Sequence, residues 1–231
     1  MDEKKALIEI VDRLDPLLES RFANDATGHA AYHLAHVYSL AIKIQKQEGG
    51  SLYTIGIAAK VHEEHRAISL ETGKYCPPVD SLQAVSALLQ NVGVSEEHVP
   101  KILECVEHHE EYAFAKGGIQ TDLKEALIIQ DADNLAALGM IGWCRGMMYA
   151  GAKGIPLWLP EISVGRADYE EGVNDPSEIH HFNHKLLKLR DNMNTRAAGI
   201  MAVPLHDRLV KGINWFTEEW REHIESNPFS I

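Results

Sequence analysis

The sequence predicts an all-α fold of about eight helices. Three observations predict it. Apolar residues recur at three- and four-residue steps through nearly every periodic segment, alternating strand patterns are absent, and two segments open on helix-start signals. Leu34, Val37, Ala41 and Ile44 mark one helix. Leu52, Ile55 and Ala59 mark the next, running over 52–66. Residues 79–92 and 96–109 read as two more, separated by a turn around Gly93. Another runs over 122–150, with Asp122 as its cap and Glu125 three residues on. The cleanest start is "DPSE": Asp175 as cap, Pro176 at the first helical position and Glu178 at the third. That helix reaches Asn194, and a last one fills 196–225.

Composition narrows the function classes. The 231 residues are 45% hydrophobic, enough for a sizeable core. The opening "MDEKKALIEI" lacks the apolar run of a secretory signal, and no stretch is long enough to span a bilayer. A cytoplasmic protein without membrane partners is the expectation. Cys76, Cys105 and Cys144 are odd in number and far apart, so they read as buried structural thiols. The net charge of −12 disfavours duplex nucleic acid as a partner, while a small phosphorylated ligand remains compatible given local cations or a metal. Two irregular stretches stand out, "SLETGKYCPP" and residues 151–174. A connection as long as the second suits a lid or part of a binding site.

Thirteen histidines cluster rather than scatter. "AAKVHEEHR" is not a zinc-protease motif, because a partner for His62 at i+4 would fall on Arg66. The apolar stripes nevertheless carry polar residues inward. Leu52, Ile55 and Ala59 lead onto His62; His33 sits beside Leu34 and Val37; Asp131 interrupts Leu127, Ile128, Leu135 and Leu138. Burying a lone carboxylate costs about several kcal/mol. One divalent cation satisfies all three residues together. Taken singly, each histidine also fits a hydrogen-bonded core position, and Asp131 fits an ion pair with Arg145 or a lysine.

The order and spacing of these residues resemble the HD-domain phosphohydrolase superfamily, with a histidine on one helix, a His-Asp doublet on the next and a distant aspartate. "GHAAYHLAHV", "AAKVHEEHR" and "IIQDADNLAALGMIGWCR" look like its three segments, and "IHHFNHKLLKLRDNMNT" resembles a C-terminal segment of stand-alone bacterial and archaeal HD hydrolases. The resemblance implies one domain over 1–231, with a metal-site core at about 28–150 and helices 175–225 completing the pocket. It implies a divalent ion (Mn, Mg, Fe, Zn, Co or Ni) held by His33, His62, Glu63 and Asp131, with Glu63 and Asp131 also catalytic. The implied activity is hydrolysis of a nucleotide or another small phosphate ester through a metal-activated water, nucleoside triphosphate pyrophosphatase being one form. Two departures stand out. Glu63 replaces the aspartate of the doublet, and His36 stands where relatives usually carry arginine.

Phosphate needs cations beyond the metal. Lys185 and Lys188 lie on one helical face, with His181 and His184 on much the same side, and Arg66 follows the doublet. These three cations are the candidate phosphate contacts. Of the adjacent His108 and His109, one lines the pocket or binds a second metal. Asp133 reads either as a residue that orients a ligand or as a surface carboxylate, and ranks below the others. The alternative to a hydrolase is a metal- or nucleotide-binding protein without turnover.

Overall fold

A computed structural model describes residues 2–164, 169–170 and 172–225. Its long helices are α1 (Glu3–Arg21), α2 (Ala31–Glu48), α3 (Leu52–Val61), α4 (Glu64–Thr72), α5 (Leu82–Asn91), α6 (Val99–His108), α7 (Lys124–Ala136) and α8 (Gly139–Lys153). A mixed helical rod follows. It comprises α9 (Glu178–His181), a π-helical turn (Phe182–Leu186), α10 (Leu187–Leu189) and a 3₁₀ turn (Arg190–Asn192). The 25-residue α11 (Arg196–Trp220) comes last. No strand occurs among the described residues, as the periodicity predicts.

Helices α2, α3 and α7 form the centre, α1 packs on α3, α6 packs on α3 and α7, and α11 packs on α8, α7 and α2. In α1 the apolar residues Leu7, Ile10, Leu14 and Leu18 recur at three- and four-residue steps and are all buried. The sequence reading named no helix there. Ser51 caps α3 by accepting from the Thr54 amide at 3.2 Å, and Thr195 caps α11 by accepting from Ala198 at 3.3 Å.

Three expected elements differ. The segment 52–66 is two helices, broken between His62 and Glu63, where Glu63 adopts φ −89°, ψ 11°. The segment 122–150 is also two. Gly139, at φ +69°, turns the chain between α7 and α8, a conformation that favours glycine. Asp122 does not cap α7; the residue before that helix is Leu123, and Glu125 instead accepts from the Ser51 amide at 2.8 Å. Asp175 does not cap α9 either. The helix starts after Ser177, and Asp175 accepts from His181 Nδ1 at 2.9 Å and His184 Nδ1 at 2.6 Å. Cys76 and Cys105 are buried as expected, but Cys144 is exposed on α8. No helix among the described residues is long and apolar enough to cross a membrane.

Candidate functional site

His33 sits near the start of α2 and is fully buried. His62 closes α3 and Glu63 opens α4, so the backbone break at this doublet turns two consecutive side chains toward one point. On an unbroken helix neighbours diverge by about 100°. Asp133 comes from α7. His33 Nε2 lies 3.0 Å from Glu63 Oε1, 3.3 Å from Asp133 Oδ1 and 3.3 Å from His62 Nε2. One ligand atom from each of the four lies within 4.8 Å of the others.

Hydrogen bonding fixes part of the proton inventory. His62 Nδ1 faces the Ala59 carbonyl at 3.0 Å; a carbonyl only accepts, so Nδ1 holds the proton and Nε2 presents a lone pair. Burial pushes the His62 imidazolium down to about 3, which keeps the ring neutral. Burial alone would raise Glu63, but the imidazoles of His29, His33 and His62 outweigh it and hold that carboxyl well below the usual range. Asp133 is lowered in the same way against its own burial, chiefly by His33 and His62. Two imidazole nitrogens and two carboxylates form a donor set suited to a borderline divalent cation.

Asp131 is not in this cluster, which corrects the expected ligand set. Its Oδ1 accepts from the Asn194 amide at 2.7 Å and the Asn194 side chain at 3.1 Å. Its Oδ2 accepts from the Thr195 amide at 2.8 Å and the Thr195 hydroxyl at 2.6 Å. This buried carboxylate ties the start of α11 to α7 and has its partners without a metal. It is not paired with Arg145, whose Nε donates to the Gly28 carbonyl at 2.7 Å. Residues 131 and 133 project about 200° apart on a helix, so only one of them faces His33.

The carboxylates open onto a cavity of about 300 Å³, while His33 and His62 lie behind them. Arg66, Lys185 and His181 line it, and so do Lys74 and Lys153, which the sequence reading did not name. Both irregular stretches reach it, through Lys74 and Tyr75 and through Tyr169 and Asn174. Residues 165–168 and Glu171 of the second stretch lie outside the described residues. Lys185 Nζ stands 4.6 Å over the Tyr112 ring and 4.9 Å over that of Tyr169. Lys188 is not among the lining residues; its Nζ lies 5.4 Å over Phe114. Arg66 pairs with Glu110 and stands 3.6 Å from Glu63 Oε2. His184 stays outside the lining, held by Asp175. His108 pairs with Glu111 at 2.8 Å and leaves the inward position to His109, which is buried beside His62 and His65. His36 joins neither the ligand cluster nor the cavity lining.

Two functional candidates escaped the sequence reading. His29 lines the cavity, with Nε2 3.9 Å from Glu63 Oε1. The Thr27 hydroxyl donates to Asp25 at 2.6 Å, so its oxygen accepts from His29 Nδ1 at 2.8 Å. That relay leaves His29 Nε2 as an acceptor turned toward the carboxylates. Its only sequence signal is a second histidine four residues before His33. Glu178 is the other candidate. It is buried against Gly146, and burial pushes its carboxyl up to about 8, with Asp175 adding to the rise.

The sign for Glu178 follows from linkage. Between its unfolded value near 4.5 and about 8, the unfolded chain loses this proton while the folded chain keeps it, so stability falls as pH rises through that window. Glu178→Gln is expected to flatten this decline and to gain roughly 2–4 kcal/mol over wild type above pH 8. Denaturant unfolding of both proteins from pH 5 to 9 measures it; parallel curves would refute it.

No family model matches the chain. It is 28% identical to YpgQ of Bacillus subtilis strain 168, an uncharacterised protein, over 84% of this chain and 85% of YpgQ. The crystal structure of YpgQ in complex with ADP superposes with a TM-score of 0.67 and 27% identity, covering 90% of this chain and 97% of that one. A protein of Lactobacillus plantarum gives a TM-score of 0.77 at 26% identity, over 92% of this chain and 97% of that one. An HD-superfamily hydrolase from Bacillus thuringiensis gives 0.65 at 29% identity, over 95% and 98%. These likenesses support the HD-domain superfamily as the chain's kin. That superfamily is metal-dependent, and the His33, His62, Glu63 and Asp133 cluster is where this chain could hold an ion.

Proposed function

We propose that the protein is a metal-dependent phosphohydrolase acting on a nucleotide or another small phosphate ester, with a nucleoside triphosphate as the first substrate to try. The observation that carries this reading is the convergence of four ligand atoms at the floor of a cavity whose walls carry Arg66, Lys74, Lys153 and Lys185. The ADP bound by YpgQ and the hydrolase from Bacillus thuringiensis support it.

A divalent cation would be held by His33, His62, Glu63 and Asp133 and would supply Lewis acidity and neutralise phosphoryl charge. The chain's own residues do the rest. His62 keeps its Nδ1 proton on the Ala59 carbonyl, so its Nε2 stays available. Asp25 and Thr27 hold His29 Nδ1 protonated, so its Nε2 takes the proton of the attacking water. Lys185, confined between Tyr112 and Tyr169, meets the phosphate charge at the cavity wall.

The test is phosphate or pyrophosphate release from a panel of nucleoside mono-, di- and triphosphates with Mn²⁺ or Mg²⁺. His29→Gln is expected to lower kcat about 100-fold while leaving metal content unchanged. Wild-type protein that binds metal and nucleotide but releases no product would favour the binding reading. Loss of metal in His29→Gln would make His29 a ligand rather than a base.

A further inference from the structure

Glu178 is a buried acid with nothing to pair with. It opens α9, lines the cavity and is 1% exposed. Its carboxyl makes no hydrogen bond and no ion pair among the described residues, and Oε1 is buried without a partner. A carboxylate in the first turn of a helix usually finds free backbone amides. Here the Glu178 amide donates to the Pro156 carbonyl at 3.0 Å and the Ile179 amide to the Leu157 carbonyl at 3.1 Å, so those donors are taken. Asp175 adds a like charge, and Lys185 offsets only part of the effect. The neutral acid is the favoured state of such a group, and burial pushes this carboxyl up to about 8. At neutral pH Glu178 therefore presents a donor and an acceptor but no charge.

The fold makes room for this group. A Cβ at Gly146 of α8 would stand 2.3 Å from Glu178 Oε1 and 2.7 Å from the Phe182 ring, so glycine there lets the carboxyl sit against α8. Gly142, Gly146 and Tyr149 of that helix also line the cavity. Lys185 follows seven positions later along the rod, roughly 10 Å at the helical rise. A nucleotide spans a comparable distance from its phosphates to the far edge of its base. With the phosphates toward Lys185, the uncharged end of the ligand comes to Glu178. A phosphate gains nothing at a neutral acid without a cation, whereas a base edge offers it hydrogen bonds.

We propose that Glu178 is a specificity-determining residue that hydrogen-bonds the base edge of a nucleotide whose phosphates lie toward Lys185. A base edge carries donors and acceptors side by side, which a protonated carboxyl matches and a bare phosphate chain does not. The inference rests on the proposed phosphate site and narrows its ligands from small phosphate esters to those that carry a base.

The experiment is calorimetric titration of the full chain, with Mn²⁺ present, by two ligands that resist hydrolysis. One is the α,β-methylene analogue of ADP, and the other is methylenediphosphonate, its anionic part alone. Wild type is expected to bind the ADP analogue more tightly. Glu178→Leu is expected to weaken the ADP analogue about 10- to 100-fold and to leave methylenediphosphonate unchanged. Glu178→Gln, which keeps a donor and an acceptor, is expected to stay near wild type on both. If Glu178→Leu does not fold, Gly146→Ala displaces the same carboxyl and is expected to show the same selective loss. An equal loss of both ligands, or no loss of either, overturns the role of Glu178. So does a Glu178→Gln that falls as far as Glu178→Leu. Equal binding of both ligands by wild type overturns base recognition and leaves a phosphohydrolase of other small esters standing. The expected selective loss, in a protein that releases no product from any nucleotide, upholds Glu178 and sinks the hydrolase reading. Wild type that binds neither ligand overturns both.

Discussion

Asp133→Asn is expected to strip the protein of its divalent cation and leave it folded. The Asp133 carboxylate stands 3.3 Å from His33 Nε2 and 4.0 Å from His62 Nε2 and is partly open to the cavity. Replacing it removes one of two negative charges that face two imidazoles. Cation affinity should fall at least about 100-fold, beyond the 10–100-fold typical of losing a residue that only supports a ligand. Turnover should fall with it. The melting temperature of the metal-free protein should stay within about 3 °C of wild type, since no packing changes. Elemental analysis and a thermal melt read both quantities. Retained metal in this variant would overturn the placement of Asp133 in the site.

Asp131→Ala is expected to do the reverse. This carboxylate receives four hydrogen bonds from Asn194 and Thr195, all at the entrance to α11. Two of the donors are backbone amides that no helical carbonyl can satisfy. Removing the acceptor leaves them stranded, at about 1–3 kcal/mol for each buried donor. A loss of roughly 3 kcal/mol corresponds to a melting temperature lower by about 6–12 °C in a chain of this size. Metal content per folded chain should stay at the wild-type level. If Asp131→Ala emptied the site while Asp133→Asn did not, the sequence-based assignment would be the right one.

Why the sequence reading named Asp131 rather than Asp133 is a matter of helix phase. In α7, Ala126, Ile128, Ile129, Ala132, Leu135 and Ala136 are all buried, along with Gln130 and Asp131. A helix covered on most sides has no single apolar stripe, so periodicity cannot say which way each aspartate faces. His33 was legible because α2 retains a polar face, and His62 because it follows directly on the buried run of α3. The all-α class was legible from the three- and four-residue steps, although α1 went unnamed. The breaks at His62–Glu63 and Gly139 were not: no proline marks either, and at Gly139 the apolar pattern continues across the corner. His29 carried only its place four residues before His33; its role depends on a hydroxyl brought near by folding. Lys185 was legible as a cation on the right helix, and Lys188, three residues on, shows how little that alone decides.

The corner between α3 and α4 also determines how the protein tolerates length changes. His62 ends one rod and Glu63 begins another, and Arg21 of α1 clasps the second rod through Glu64 and Glu71, each at 2.5 Å. Inserting a residue beyond that clasp, near Gly73, leaves both members of the doublet in register. Inserting one inside α3 swings His62 by about 100° and carries the doublet with it. Length variation among homologous chains is therefore expected at the downstream end of α4 and not within the ten residues of α3.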